Sequence, residues 1–256
     1  MSVENEKEIQ QLKNRIRELA EKSYQQNQYT FTGFLGLAEQ DALWQVEREV
    51  KFAGITLYGG REQAERRILR FGNEADLGYE QPFPISCIRI RPLSVKFADK
   101  LSHRDYLGAL MNLGIERSTI GDILPGEKEA YLFCQDTIAG FICDNLEQIR
   151  HTHVKCEIVD AAAEVPEEEP LRQVIQVAGP RVDAVISKVY NKSRSDCLEL
   201  FRAGKVYVNG RLCENNSKAL EQGDVVNARG YGKFRISGEP HATRKGKLAI
   251  ETEVYP

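Results

Sequence analysis

The chain has 256 residues, enough for two or three compact domains, and its 41% hydrophobic and 29% charged residues are an ordinary globular balance that can bury a core. No run of 18 apolar residues occurs, which excludes a membrane-spanning helix, and the polar stretch Met1 to Lys22 lacks the apolar segment of a secretory signal, so the expected location is the cytoplasm. The net charge of −3 conceals an asymmetry: residues 1–179 carry 21 Lys and Arg against 29 Asp and Glu, a net of −8, whereas residues 180–238 carry 11 against 6, a net of +5. A basic module on an acidic body is the charge footprint of a polyanion binder.

In chain order, Glu4 to Gln26 reads as a helix, with Ile9, Leu12, Ile16 and Leu19 on one face, and Ala38 to Val50 as a second that carries Trp44. Ile55 to Tyr58 is a short apolar run, Gly59-Gly60 opens a further helix through Ala64, and Arg67 to Phe71 is a strand. From Ile85 to Arg91 the pattern alternates, with Ile88 and Ile90 on one face and Arg89 and Arg91 on the other. Ser102 caps a helix through Leu113 that Gly114 ends. Strands follow at Ile120 to Leu124 and Ala130 to Cys134, with a Pro125-Gly126 turn between them. A helix spans Thr137 to Arg150, and Val154 to Asp160 is the next strand. This βαββαβ order is the ferredoxin-like arrangement that RNA-recognition motifs also use. Glu164 to Pro170 is a solvated acidic turn, and Leu171 to Ala178 alternates as a strand expected to pair back on Val154 to Asp160.

Beyond Gly179-Pro180, Val182, Val185, Ile186 and Val189 form one helix face. Ser193 caps a second helix, with Asp196 three residues on, and Gly204 stops it. Lys205 to Val208 is a strand, Asn209-Gly210 a hairpin turn, and Gly223-Asp224 a turn into the strand Val225-Val226. The expected architecture is therefore α+β in three small domains: a mixed α/β domain over residues 1–80, a ferredoxin-like domain over 81–178, and a basic domain of two helices on a small sheet over 179–256, its core at 180–238.

Helix starts offer free amides and a positive dipole end, and arginine grips phosphate with two parallel hydrogen bonds. Arg181, Lys188, Lys192, Arg194, Arg202, Lys205 and Arg211 are too many cations for routine solubility over some 30 residues and are the candidate RNA contacts. The plainer alternative is a solvated basic surface with Arg194 paired to Asp183 or Asp196. Arg89 and Arg91, and Tyr131 and Phe133 on a central strand of the middle domain, offer a second RNA-facing surface, although core burial of the two aromatics is the competing reading.

Arg181-Val-Asp183, Ser193-Arg194-Ser195, the run Gly204 to Gly210 and Gly223-Asp224 together resemble the RNA-binding domain named after small-subunit ribosomal protein S-four. That resemblance implies a compact face gripping structured RNA, with Arg181, Arg194, Lys205 and Arg211 on phosphates and the two Gly turns as scaffolding. His103 to Ile115, Ile120 to Ile123 and Asp136 to Leu146 resemble the central region of the bacterial YlmH family, so the resemblance spans nearly the whole chain. It implies a non-enzymatic RNA-binding protein of ribosomal or transfer RNA, a partner in the large ribosomal subunit acting in translation quality control, and a link to cell-division proteins.

The rival class is an RNA-modifying enzyme, pseudouridine synthase- or methyltransferase-like, using the same domain as a handle. His103-Arg104-Asp105 lacks the flanking residues of a pseudouridine synthase or kinase motif and reads as a capped helix start or a basic RNA contact. His151, His153 and Cys156 number three where structural zinc takes four ligands, Gly59-Gly60 is too short for a phosphate loop, and the six separated cysteines are expected as reduced thiols. No catalytic residue, metal or cofactor is expected.

Overall fold

The computed structural model describes residues 3–94, 96, 98–166, 169–243 and 246–255. Glu167 and Glu168, within the acidic turn expected at 164–170, lie outside the described residues. The chain divides into two compact units, Met1–Pro166 and Glu167–Pro256.

In the first unit, α1 (Val3–Gln26), β1 (Thr30–Leu35), α2 (Leu37–Val50), β2 (Ile55–Tyr58) and β3 (Arg67–Phe71) build an antiparallel sheet in the order β1-β3-β2. The apolar stripe of α1 and the face of α2 pack on one side of it, where Ile16, Leu19, Leu43, Val46, Leu69 and Phe71 form a core. Residues 59–64 form turns rather than the expected helix. Two tertiary ties outcompete helix formation there: Asp122 accepts from the amides of Glu65 and Arg66, at 2.8 and 2.9 Å, and Gln40 donates to the Glu65 carbonyl. The Gly-Gly entry also carries a low helix propensity.

After the short α3 (Glu74–Leu77) come β4 (Ile85–Pro92), α4 (His103–Asn112), β5 (Ile120–Pro125), β6 (Ala130–Gln135), α5 (Asp136–Asn145), β7 (Gln148–Ile149), β8 (Thr152–Val159) and α6 (Ala161–Glu164). The sheet runs β5-β6-β4-β8-β7, so the first and third strands of the βαββαβ motif lie in the middle. Tyr106 and Leu110 of α4 and Ala139 and Ile142 of α5 cover one face, over Ile88, Ile90 and Leu132. Ser102 and Asp105 close the expected capping box on α4. α5 stops at Asn145, short of the expected Arg150, because Gln148 and Ile149 are drawn into pairing with β8.

The other face of this sheet is also covered. Cys87, Tyr131 and Phe133 pack against Phe34 and Ile68 of the first sheet. Arg66 clamps the seam: its guanidinium donates to the carbonyls of Ile120, Phe34 and Arg117. Gly60 and Gly121 are the small residues that admit the aromatics, since a Cβ at Gly121 would lie 2.6 Å from the Phe34 ring.

The second unit contains β9 (Leu171–Val177), α7 (Val182–Val189), α8 (Arg194–Arg202), β10 (Val206–Val208), β11 (Arg211–Leu212), β12 (Val225–Ala228), β13 (Gly232–Ile236), β14 (His241–Ala242) and β15 (Leu248–Tyr255). β9 does not pair back on β8, as its alternation was expected to do. It pairs antiparallel with β15 in unbroken register from Leu171↔Val254 to Val177↔Leu248. The sheet is thus larger than expected, running β11-β10-β12-β13-β15-β14 with β9 also on β15. Both helices pack on it through Val182, Val185, Ile186, Cys197, Leu200 and Phe201.

Candidate nucleic-acid interface

α7 buries the stripe expected from its spacing, which leaves Arg181 at the N-cap and Lys188 exposed in the last turn. Asp183 is 7% exposed and takes up the Arg181 charge: Nη2 and Nε donate to its two oxygens at 2.7 and 3.1 Å. Asn216 and the Ala184 amide donate to the same carboxylate. Burial alone would raise the Asp183 pKa, but the bonds from Arg181, Asn216 and Ala184 outweigh it and hold the group below its ordinary 3.8. Arg181 is therefore the cation that pairs with Asp183, and Arg194 is not.

This network gives a stability prediction. Asp183→Ala is expected to cost about 2–3 kcal/mol, the range for charge-assisted bonds lost at a buried acceptor, read as faster hydrogen exchange of the α7 amides. The stability gap between the native chain and Asp183→Asn is fully present above the ordinary aspartate value of 3.8 and closes as pH falls through the lower folded value, because a depressed acid stabilises only while ionised.

α7 ends at Tyr190, and Asn191 (φ 51°) turns the chain through Lys192 to Ser193, the N-cap of α8. Ser193 accepts from the Asp196 amide and the Asp196 carboxylate accepts from the Ser193 amide, so Asp196 serves the capping box. Arg194 is exposed in the first helical turn and makes no ion pair with any described residue. Lys188, Lys192 and Lys205 are exposed and without ion pairs in the same sense. Arg202 pairs with Glu199 one helical turn back. Asn209 (φ 53°) and Gly210 (φ 75°) form the expected primed hairpin turn, and the Asn209 side chain ties it to Asp224 and the Val225 amide, at 2.7 and 2.9 Å.

The candidate cations do not form one cluster. Arg181 lies where the chain bridges to Ala219, about 12 Å from the other end of the eight-residue α7. Arg211 follows the hairpin turn at the Asp224 end of β10. Arg194 starts the nine-residue α8, about 13 Å from the end that leads to Lys205, and Lys192 and Lys205 both meet the β12–β13 turn at the opposite end of β10. There the β12–β13 turn adds residues that the sequence reading missed. The Arg229 amide donates to the Lys205 carbonyl at 2.9 Å, and Lys192 Nζ lies 4.9 Å from the centroid of Tyr231, which is 40% exposed. The legible signal was the run Arg229-Gly-Tyr231-Gly-Lys233, an aromatic between glycines and cations.

The second expected surface is corrected. Tyr131 and Phe133 are 6% and 0% exposed within the seam of the first unit and have no face open to a base. Arg89 bonds Glu157 at 2.9 Å and also Glu164, and Arg91 bonds Glu157 at 2.7 Å. Arg89 first, then Lys155, hold the Glu157 carboxyl down to about 2, so the two arginines are compensated cations. His153 and Cys156 lie on opposite faces of β8, the first exposed and the second buried, so they cannot share a metal ion. Among the described residues no group of His, Cys, Asp or Glu is arranged to hold one, and no helix is long and apolar enough to cross a membrane.

Comparison with known proteins bears on both units. Residues 79–163 match the family model described as "Putative RNA-binding domain in YlmH", and residues 180–226 match that of the S4 domain. The chain is 29% identical over 234 residues to the ribosome-associated protein quality control protein P2 of Bacillus subtilis (strain 168), covering 89% of each chain. It is also similar to a solved structure of cell division protein ylmH from Streptococcus pneumoniae, at 23% identity and a TM-score of 0.47, covering 65% of this chain and 97% of that one. The first unit thus carries a segment that matches the RNA-binding domain model of YlmH, and the second a segment that matches the S4 domain.

Proposed function

We propose that this protein is a non-enzymatic, cytoplasmic RNA-binding protein that grips structured ribosomal or transfer RNA on the large ribosomal subunit and acts there in translation quality control. The observation that carries this reading is the set of exposed cations that make no ion pair with a described residue, Lys188, Lys192, Arg194 and Lys205, on a capped two-helix scaffold. Exposed cations that make no ion pair with a described residue are available to a polyanion. Arg181, Arg202 and Arg211 are further phosphate contacts, Arg181 held in place by Asp183. The two RNA-binding family models and the name of the relative from Bacillus subtilis support the same reading.

The test is RNA affinity of the full chain measured against salt. Arg194→Ala is expected to weaken binding about equally for all structured RNAs and to lower the log–log salt slope by about 0.7–0.9, one phosphate contact. An unchanged slope removes Arg194 from the interface. Crosslinking in cells should recover ribosomal or transfer RNA, and reads scattered over messenger RNAs would reject the ribosomal role.

A further inference from the structure

We propose that Tyr231 stacks on an unpaired base, so that the β12–β13 turn extends the RNA surface beyond the S4 domain proper. The inference rests on the RNA-binding reading above and adds the chemistry of the nucleotide recognised: one with a free base face beside a phosphate, as in a loop or bulge.

Tyr231 lies outside the segment matched by the S4 model, which ends at residue 226. It is an aromatic residue left 40% exposed at the tip of a hairpin. Its presentation is built: Gly230 (φ 92°) and Gly232 (φ 120°) flank it in the left-handed region, and its amide donates to the Ala228 carbonyl at 2.9 Å. Behind it stands Tyr190, with ring centroids 5.9 Å apart, itself packed edge-on against the buried Phe234 at 6.0 Å. The ring is therefore backed by aromatic packing through Tyr190 to the core.

Its surroundings are basic. Lys192 Nζ lies 4.9 Å from the ring centroid, and Arg229, two residues before Tyr231, is tied through its backbone to Lys205. Arg229, like Lys192 and Lys205, is exposed and makes no ion pair with any described residue. An exposed aromatic beside cations that make no ion pair with a described residue is the pairing that single-stranded RNA recognition uses, with rings for bases and cations for the backbone. Lys192 is flexible enough to leave the ring for an incoming phosphate, which frees the face for the adjacent base.

The experiment measures the full chain on two probes: an RNA stem-loop with an oligoadenosine loop, and the same stem with an abasic loop. The native protein is expected to prefer the adenosine loop by about fivefold or more, the lower end of base–aromatic stacking. Tyr231→Ala should erase that preference with the salt slope unchanged, and Tyr231→Phe should keep it, because stacking needs the ring and not the hydroxyl. Arg229→Ala should instead lower the slope by about 0.7–0.9. Equal binding of both loops by the native chain, or an undiminished preference in Tyr231→Ala, overturns the stacking role while RNA binding stands. If the native chain binds neither probe, the RNA-binding reading fails with it.

Discussion

Phe133→Ala is expected to destabilise the first unit by about 3–5 kcal/mol and to leave RNA affinity per folded molecule unchanged. Phe133 is fully buried between the two sheets, against Phe34 and Ile68, and it sits where an RNA-recognition motif would place a base-stacking ring. Truncation leaves a cavity that flanking strands, hydrogen-bonded on both sides of β6, cannot close. Trp44, the single tryptophan, reports on this unit from α2, so urea unfolding followed by its fluorescence reads the loss directly. A base-stacking residue would behave in the opposite way, with stability kept and RNA affinity lost. That pattern would mean that the seam opens when RNA binds.

Gly60→Ala should be nearly as costly, about 3 kcal/mol. Gly60 has φ 92°, and an added Cβ would lie 2.3 Å from Cδ1 of Phe133, a ring with no room to move. Left-handed backbone costs a non-glycine residue about 1–2 kcal/mol, and overpacking a filled core about 1–3 kcal/mol. The two parts separate in a double-mutant cycle with Phe133→Leu. The smaller side chain relieves the clash and leaves the backbone strain, so the pair should be less destabilising than the sum of the single changes. Strict additivity would show that the ring is not what Gly60 makes room for.

Much of the fold was legible because its signals are local. The stripe Ile9, Leu12, Ile16, Leu19, the Ser102–Asp105 and Ser193–Asp196 boxes and the Asn209-Gly210 turn each specify an element within a few residues. What covers a sheet face is not local. Arg89 and Arg91 alternate with Ile88 and Ile90 as a half-open strand would, yet that face meets a sheet formed by residues 30–71. A signal did exist: Ala130 to Cys134 is continuously apolar, the mark of a strand buried on both faces, and all five residues are buried. The alternation of β9 fits any partner equally, so its pairing with β15 rather than β8 was beyond periodicity. At the candidate interface the cations and caps could be read from the chain, but their charge states could not. Arg91 is neutralised by Glu157, which stands 66 residues away, while Arg194 has no ion pair among the described residues beside an Asp196 that is occupied in its cap.

The β9–β15 ladder has a kinetic consequence. Thr252 hydrogen-bonds across it to Gln173, a separation of 79 residues, and the core under α7 and α8 takes Ile175 and Val177 from one strand and Ile250 from the other. Closing so long a loop comes late in folding, because its entropy is lost before the pairing repays it. Residues 180–226 alone lack the strands β9, β13 and β15 that complete the core beneath the two helices. During synthesis the sheet beneath α7 and α8 is thus completed only after β15 has been made.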